Sequence, residues 1–258
     1  MITTQETGLA AERLENIRRV LQERRIVRVD ELSRALRVSP ATVRRDLLLL
    51  ERVGHLRRVH GGAVAIEGLL EEPQFDDKAA QSAAEKQRIA QAALQFVKPT
   101  DSIFLDGGST VLALARLLTD MKQLTVVTNS LHVALLYAGR GPRLILVGGE
   151  LRRLSQTFVG PLTRALVDQL RVDTAFMGTL GVAAEGGLTT TDPQEAYTKE
   201  LVMSHARQAV LLADASKIGK ISFVRFGGLR DVDVWITDRR VSAVKLREFR
   251  KETKIVVV

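Results

Sequence analysis

The sequence predicts a two-part α/β protein. A small N-terminal module of helices and a β-hairpin precedes a doubly wound, mainly parallel α/β domain. Three helical patterns and two short β-prone runs follow one another within the first 66 residues, and from Ser82 onward apolar, β-branched runs alternate with helical patterns. Strands separated by covering helices form parallel sheets. We place the module at 1–63, a linker at 64–82 and the α/β domain at 83–258.

Composition indicates a cytoplasmic globular protein. The chain has 258 residues, of which 45% are hydrophobic and 26% charged. It has no apolar run near the ~20 residues that cross a bilayer, and its N-terminus lacks the apolar region of a secretory signal. It also contains no cysteine, which fits a reducing compartment. We expect no membrane association and no cofactor.

Positive charge is concentrated near the N-terminus. Residues 1–66 carry 13 Arg and no Lys against 8 acidic residues, a net charge of +5 out of +8 for the chain. Arginine matches phosphates and guanine edges better than lysine does. A basic face is often merely solvated, so the charge needs a supporting motif.

The module reads as three short helices. Apolar residues recur at helical spacing and predict a core of Leu14, Ile17 and Leu21, then Leu32, Ala35 and Leu36, then Val43, Leu47 and Leu50. Asp30 is the expected N-cap of the second helix, and Ser39 followed by Pro40 the start of the third. We expect Gly54 to end the third helix. The short turn between the last two helices is typical of a helix-turn-helix.

The outward face of the third helix carries Ala41, Arg44, Arg45 and Leu48 at i, i+3, i+4 and i+7. Arginines near the start of a second helix-turn-helix helix lie where base edges are read in the major groove. Leu48 would touch either a thymine methyl group or a partner subunit. The following L-R-R-V-H-G-G-A-V-A-I predicts a hairpin that contacts DNA as a wing. The candidate DNA-binding residues are Ser39, Ala41, Thr42, Arg44, Arg45, Arg57, Arg58 and His60.

Two motifs at a fixed distance resemble one family. V-S-P-A-T-V-R-R-D-L at 38–47 and E-R-V-G-H-L-R-R-V-H-G-G-A at 51–63 closely resemble the DeoR family of bacterial repressors. The resemblance implies a winged helix-turn-helix and double-stranded operator DNA as a partner. A wing-and-helix module generally uses two copies on two half-sites, so we expect a homodimer or tetramer.

Residues 64–82 interrupt the basic trend with five acidic residues and Pro73. We interpret this segment as a linker. Its acids would keep it away from DNA, although a plain solvated tether explains the composition equally well.

The strand ends of the second domain are polar, and ligands of doubly wound sheets bind there, at a switch point in strand order. Asp106-Gly107-Gly108-Ser109-Thr110 follows a predicted strand and begins a helix, which favours binding of a phosphate. It is neither a Walker A loop nor G-x-G-x-x-G, so nucleoside triphosphates and NAD are disfavoured. A glycine helix cap is the alternative for this turn alone. Other strands end in Thr128-Asn129-Ser130, Gly148-Gly149, Gly178-Thr179 and Asp214-Ala215-Ser216-Lys217.

One further motif lies at 187–199, G-L-T-T-T-D-P-Q-E-A-Y-T-K. Asp192 would cap a helix on which Glu195 and Lys199 share a face. This pair is either a routine helical salt bridge or a clamp for a hydroxylated anion. The candidate effector-binding residues are Asp106, Gly107, Gly108, Ser109, Thr110, Thr128, Asn129, Ser130, Gly148, Gly149, Thr179, Asp192, Glu195, Lys199 and Lys217.

The second domain also resembles the DeoR family. D-G-G-S-T is similar to its D-S-G-T-T loop, and the 187–199 motif and L-L-A-D-A-S-K at 211–217 are similar to its effector-domain signatures. The resemblance implies a fold related to phosphosugar isomerases and CoA transferases, and phosphosugar effectors. Leu180 departs from the family's G-A-D-G or G-A-S-G, which implies an apolar or missing effector group at that point.

The sequence therefore predicts a DNA-binding regulator rather than an enzyme. We expect a repressor of a carbohydrate-metabolism operon that a phosphorylated sugar or polyol releases. The alternative is a phosphosugar isomerase with a basic extension, in which Glu195 would be the base and Lys199 the electrophile. The related isomerases resemble G-A-D-E at the position of G-T-L-G (178–181), so both acids are absent here. An architectural DNA-binding protein would leave the polar strand ends unexplained.

Overall fold

The computed structural model describes residues 13–14, 16–17, 20–21, 24, 26–52, 56–59, 61–65 and 72–258. The chain divides into two compact units, Met1–Glu67 and Gly68–Val258. Among the helices of these described segments, none is long and apolar enough to cross a membrane.

The first unit is a winged helix-turn-helix. Its described elements are β1 (Ile26–Arg28), α1 (Val29–Leu36), α2 (Pro40–Arg52), β2 (Leu56–Val59) and β3 (Gly62–Ala65), and the described residues among 13–24 are helical. The three strands form an antiparallel sheet in the order β1-β3-β2. The strand β1 was not predicted, because three residues are too few for a recognisable alternation.

The predicted core of this unit is confirmed at most positions. The buried members are Ile17, Leu21, Leu32, Val43, Leu47 and Leu50, with Leu14 and Leu36 partly buried. Ala35 is exposed, so its placement in the core is wrong. Asp30 is not the N-cap: α1 begins at Val29 directly after β1, and Asp30 lies in its first turn. Gly54 lies outside the described residues.

The turn between α1 and α2 is fixed by side-chain hydrogen bonds. Arg37 ends α1 in the left-handed region (φ 53°), and the Ser33 hydroxyl donates to the Val38 carbonyl (2.6 Å). The Ser39 hydroxyl then accepts from the backbone N–H of Thr42 (3.1 Å), as predicted for an N-cap. These contacts set the direction in which α2 leaves the turn.

The second unit is a doubly wound α/β domain. Its helices are α3 (Phe75–Ala80), α4 (Ala83–Ala93), α5 (Ser109–Leu117), α6 (Leu131–Tyr137), α7 (Arg164–Val167), α8 (Pro193–Ser204) and α9 (Ala243–Phe249). Its strands are β4 (Ser102–Leu105), β5 (Thr125–Thr128), β6 (Arg143–Leu146), β7 (Glu150–Arg152), β8 (Thr157–Val159), β9 (Val172–Met177), β10 (Gly181–Ala183), β11 (Gly187–Thr190), β12 (Ala206–Leu212), β13 (Val224–Gly227), β14 (Val234–Thr237) and β15 (Lys254–Val257).

The main sheet has seven strands in the order β15-β14-β12-β9-β4-β5-β6, and every neighbouring pair is parallel. These are the seven strands that the apolar runs of the sequence predict: S-I-F-L, L-T-V-V-T, R-L-I-L-V, V-D-T-A-F-M, Q-A-V-L-L, V-D-V-W-I-T and K-I-V-V-V. From β4 the chain adds strands in one direction to β6, then returns to the other side of β4 with β9. The order therefore reverses between β4 and β9, and the predicted switch point lies at their carboxyl ends.

Two small sheets were not predicted. The pair β7–β8 and the sheet β10-β11-β13 are antiparallel and made of strands of three or four residues. Such strands carry too little alternation to be distinguished from loops. They lie in the connections of the main sheet and bring further residues toward the strand ends.

The predicted linker differs from the structure over its last part. Within 64–82, residues 75–80 form α3, and Phe75 is buried in the core of the second unit. The acidic residues suggested a solvated tether, yet Glu72 is 5% exposed. Its carboxylate is neutralised by Arg152 and Lys78, contacts that sequence spacing does not reveal.

The DNA-reading face and the sensor cleft

The outward face of α2 matches its prediction. Ala41, Arg44 and Arg45 are exposed and Leu48 is half-buried, whereas the opposite face packs in the core. Neither arginine forms an ion pair with another described residue, so both guanidinium groups are available to phosphates or base edges. The next residue, Asp46, is 2% exposed and accepts two hydrogen bonds from Arg13 (2.5 and 3.0 Å).

The wing depends on two glycines of the H-G-G-A motif. Gly61 has φ 80° in the turn between β2 and β3, a conformation that favours glycine. A Cβ at Gly62 would lie 2.1 Å from the Val27 carbonyl oxygen, because β3 packs directly against β1. Arg58 is exposed on β2, and its backbone N–H donates to Glu51 (2.8 Å). His60 and the Arg57 side chain lie outside the described residues.

A polar cleft lies at the carboxyl ends of β4, β9 and β12, the switch point of the sheet. The predicted effector residues that line it are Gly107, Gly108, Ser109, Thr110, Thr179, Glu195, Lys199 and Lys217. Asp106 spans the switch point, since its Oδ2 accepts from the backbone N–H of Gly178 (2.9 Å). Leu180 also lines the cleft, where the sequence predicts an apolar contact.

The loop that begins α5 presents unpaired backbone donors to this cleft. Gly108 precedes the helix with φ 122°, and no side chain caps the first turn. The first N–H groups of a helix have no partner within it and attract anions. Gly107 is required by close packing, because a Cβ there would lie 2.1 Å from Cγ2 of Thr157.

One wall of the cleft is a network of alternating charges. Its ion pairs are Lys78–Glu72 (2.7 Å), Glu72–Arg152 (2.7 Å), Arg152–Glu195 (3.2 Å), Glu195–Lys199 (3.5 Å) and Lys199–Asp106. Arg152 also approaches Asp192 at 3.5 Å. Burial disfavours ionised Glu72, but the charges of Lys78 and Arg152 outweigh it and hold the pKa of Glu72 below its usual value. Buried groups in such a network keep their charge because each has an opposite neighbour.

Lys199 lines the cleft, but its charge is paired within this network. Its side chain is 3% exposed, and Nζ contacts Asp106, Glu195 and the Gly178 carbonyl (3.2 Å). Burial alone would lower the pKa of Lys199, but the two carboxylates outweigh it and raise that pKa. Burial raises the pKa of Glu195. Of the two alternatives for the Glu195–Lys199 pair, the structure favours the salt bridge, since both side chains are already paired.

Two other lysines carry the unbalanced positive charge of the cleft. Within the described segments, neither Lys86 nor Lys217 has a carboxylate oxygen within 4 Å of its Nζ. Lys86 instead donates to the carbonyl oxygens of Lys78 and Gln81 (2.6 Å to the latter). Burial lowers the pKa of Lys86 to about 8 and also lowers that of Lys217. The charge of Asp214 favours both ammonium groups but does not outweigh burial, and a bound anion would stabilise them further.

Some of the predicted effector residues do not line the cleft. Thr128, Asn129 and Ser130 are at most 1% exposed, and Gly148 and Gly149 lie beyond β6. Thr128 donates to the Leu105 carbonyl (2.6 Å), Asn129 donates to the Phe158 carbonyl (3.1 Å), and Ser130 caps α6. Asp192 caps α8 by accepting from the Glu195 N–H (2.9 Å). Polar residues at a strand end therefore line the cleft only near the switch point. Elsewhere in this unit they form hydrogen bonds that hold neighbouring segments together.

Sequence reasoning missed several residues of the cleft. They are Glu72, Lys78 and Lys86, with Arg152 in the adjoining charge network, whereas Asp214 was noted at a polar strand end but not named as a candidate. Lys86 lies on a helix whose pattern was read only for its apolar face. Glu72 and Lys78 were assigned to a linker, and Arg152 lies on an unpredicted strand. The sequence signal for Lys86 was its position among the apolar residues on the buried side of α4.

A winged helix-turn-helix followed by a doubly wound domain with a basic cleft defines a DNA-binding regulator with a ligand-sensing domain. Two family descriptions match this division: "DeoR-like helix-turn-helix domain" over residues 13–68 and "DeoR C terminal sensor domain" over residues 81–239. The chain belongs to the DeoR family of transcriptional regulators.

Curated relatives extend over the whole chain. A regulator named FruR from Bacillus subtilis is 34% identical over 97% of this chain and 99% of its own. GlpR from Haloferax volcanii is 35% identical over 96% and 98%. A lactose phosphotransferase system repressor from Staphylococcus epidermidis is 37% identical over 88% and 91%. Among solved structures, ribose 5-phosphate isomerase A from Methanocaldococcus jannaschii is 22% identical, with a TM-score of 0.40 over 52% of this chain and 54% of that one.

Proposed function

We propose that this protein represses a carbohydrate-metabolism operon and releases its operator when a phosphorylated sugar or polyol occupies the cleft. The observation that carries the ligand class is the pair Lys86 and Lys217, which line the cleft with the start of α5 and have no carboxylate oxygen of a described residue within 4 Å of Nζ. Two cations and a helix N-terminus bind phosphate far better than they bind a neutral sugar.

The DNA-binding half of the proposal rests on α2 and the wing. Arg44 and Arg45 are exposed, and form no ion pair with any described residue, on the helix that enters the major groove in this fold. Ser39, Ala41 and Thr42 lie at the start of the same helix, where the DNA backbone passes. Arg57, Arg58 and His60 are proposed to contact phosphates from the wing.

The relatives support the carbohydrate assignment. The Staphylococcus epidermidis protein is named as a repressor of the lactose phosphotransferase system. We propose a related role here, exerted in the cytoplasm by a homodimer or tetramer. The particular sugar is set by the neutral part of the cleft, where Thr179 and Leu180 contact the ligand.

The alternative function, a phosphosugar isomerase, has less support. Its base would be Glu195, whose carboxylate contacts Arg152 (3.2 Å) and Lys199 (3.5 Å) and is almost completely buried. A general base must reach the proton that it removes. Incubating the full chain with aldose and ketose phosphates tests this alternative, and turnover would establish it.

Thermal melting of the full chain against sugar phosphates and their dephosphorylated forms tests the ligand class. A ligand that binds only the folded state raises the melting temperature. We expect at least one phosphorylated member to do so while its unphosphorylated counterpart does not. Equal stabilisation by both members of a pair contradicts a phosphate-binding cleft. Lys217→Met is the matched variant, in which the stabilisation should be lost.

A further inference from the structure

Residues 72–82, the first described part of the second unit, are attached to the cleft by polar contacts of one kind. The Glu72 carboxylate contacts Arg152 (2.7 Å) and accepts from the Thr191 hydroxyl (2.6 Å). Lys86 Nζ and the Ser109 hydroxyl (3.3 Å) both donate to the Lys78 carbonyl oxygen. In each of these contacts, the cleft supplies a cation or a hydroxyl and the 72–82 segment supplies an oxygen acceptor.

Two of these donors, Lys86 and Ser109, and the ammonium group of Lys78 on the segment itself are the groups that an anion would need. Ser109 stands at the N-terminus of α5, Lys86 forms no ion pair with a carboxylate in the described part of the chain, and Lys78 Nζ lies 2.7 Å from Glu72. All of them line the one cleft together with Glu72. The Glu72 carboxylate therefore neutralises part of the positive charge that an incoming phosphate would bind.

We propose that Glu72 is an internal counter-anion that a phosphorylated effector displaces, and that this displacement loosens the 72–82 segment. The inference rests on the proposed function of the cleft as a phosphate site. A phosphate dianion competes for Lys78, Lys86 and Ser109 more strongly than one carboxylate and two carbonyl oxygens do. A neutral sugar cannot compete, so the response depends on the phosphate.

The displacement would act on the part of the chain that leads to the DNA-binding unit. The chain reaches Glu72 directly after residues 66–71, which connect it covalently to the DNA-binding unit. Phe75 stays attached, because its ring is buried in the core and stacks on His132 with 3.8 Å between ring centroids. Loosening is therefore expected around Glu72 and along α3, and not throughout the second unit.

Two measurements on the full chain test the displacement, with inorganic phosphate as the probe. In calorimetric titrations, Glu72→Gln should bind phosphate about fivefold or more tightly than the unchanged chain, because a competing charge has been removed. Glu150→Gln, which removes an exposed carboxylate elsewhere in the same unit, should bind like the unchanged chain. Thr191→Val removes one donor to Glu72 without changing charge and should give a smaller gain.

Hydrogen exchange supplies the second readout. The N–H of Lys78 donates to the Gln74 carbonyl (3.0 Å) and that of Gln81 to the Asp77 carbonyl (3.2 Å), so exchange at these amides reports on α3. Phosphate should accelerate their exchange in the unchanged chain, and Glu72→Gln should exchange rapidly without phosphate. Equal phosphate affinities with unchanged exchange overturn the displacement alone. If neither protein binds phosphate, both the displacement and the proposed phosphate site are wrong.

Discussion

At the scale of single residues, the cleft contains two kinds of lysine. Some form an ion pair with a carboxylate, and others form none with the described residues. Lys199 is buried between Asp106 and Glu195, and Lys78 contacts Glu72. Lys86 and Lys217 have no such partner within the described segments. The first pair is held within the ion-pair network, whereas the second pair is proposed to supply the charge that a ligand meets.

Lys86 gives phosphate binding a pH dependence. Its pKa is lowered by burial to about 8, so it is charged below pH 8 and loses its charge above it. Affinity for inorganic phosphate should therefore fall between about pH 8 and about 9.5, where the dianion is the predominant form of phosphate. Calorimetric titrations across this range measure the fall.

Lys86→Arg is the control for that profile, because a guanidinium group stays charged throughout the range. Its affinity should fall much less, with a residual slope from Lys217, whose pKa is also lowered. Identical profiles for the two proteins would mean that Lys86 does not contact the phosphate.

Lys199 should behave as a stabilising residue. Replacing it with Met leaves the Asp106 carboxylate buried without its cation, and breaking a buried pair costs about 3–5 kcal/mol. Denaturant titration of Lys199→Met should show this loss in the free energy of unfolding. The double variant Asp106→Asn, Lys199→Met should recover part of it, and a single variant as stable as the unchanged chain contradicts the pairing.

At the scale of elements, α2 and α5 begin differently, and we propose that their N-termini serve different ligands. The start of α2 is capped by Ser39 and followed by the exposed Arg44 and Arg45. The start of α5 has no side-chain cap. A capped terminus leaves recognition to side chains, and an uncapped one offers its own N–H groups to an anion.

Arg44 and Arg45 should contribute to sequence-specific binding. Replacing either with Ala should cost about 1–3 kcal/mol in operator affinity if it makes a bidentate base contact. Gel shifts with operator and scrambled duplexes at several salt concentrations measure the loss. Arg34→Ala, an exposed arginine on α1, is the matched control and should leave the specific affinity unchanged. Unchanged binding by both α2 variants would remove this helix from base recognition.

At the scale of the whole molecule, hydrophobic periodicity predicted the helices and strands whose apolar side chains recur at a regular spacing. The seven apolar runs are the seven strands of the main sheet, and the helix-turn-helix follows from its core spacing and the Ser39 cap. Contacts distant in sequence could not be predicted. Glu72 and Arg152 form an ion pair although several helices and strands separate them in the sequence. The strand β1 pairs with β3 through only three residues. The sequence correctly placed the polar strand ends at one edge of the sheet. Predicting which of them lie near the switch point would have required the order of the strands.

The central claim is that occupancy of the cleft controls DNA affinity. Coupling between two sites is reciprocal and requires that the ligand favour one arrangement of the protein. The most direct measurement is a titration of labelled operator duplex with the full chain, with and without a saturating concentration of the sugar phosphate that most raises the melting temperature. We predict operator affinity weakened by about 5–150-fold in the presence of the ligand, with no weakening for Lys217→Met. Unchanged operator affinity while the ligand is demonstrably bound would contradict the claim.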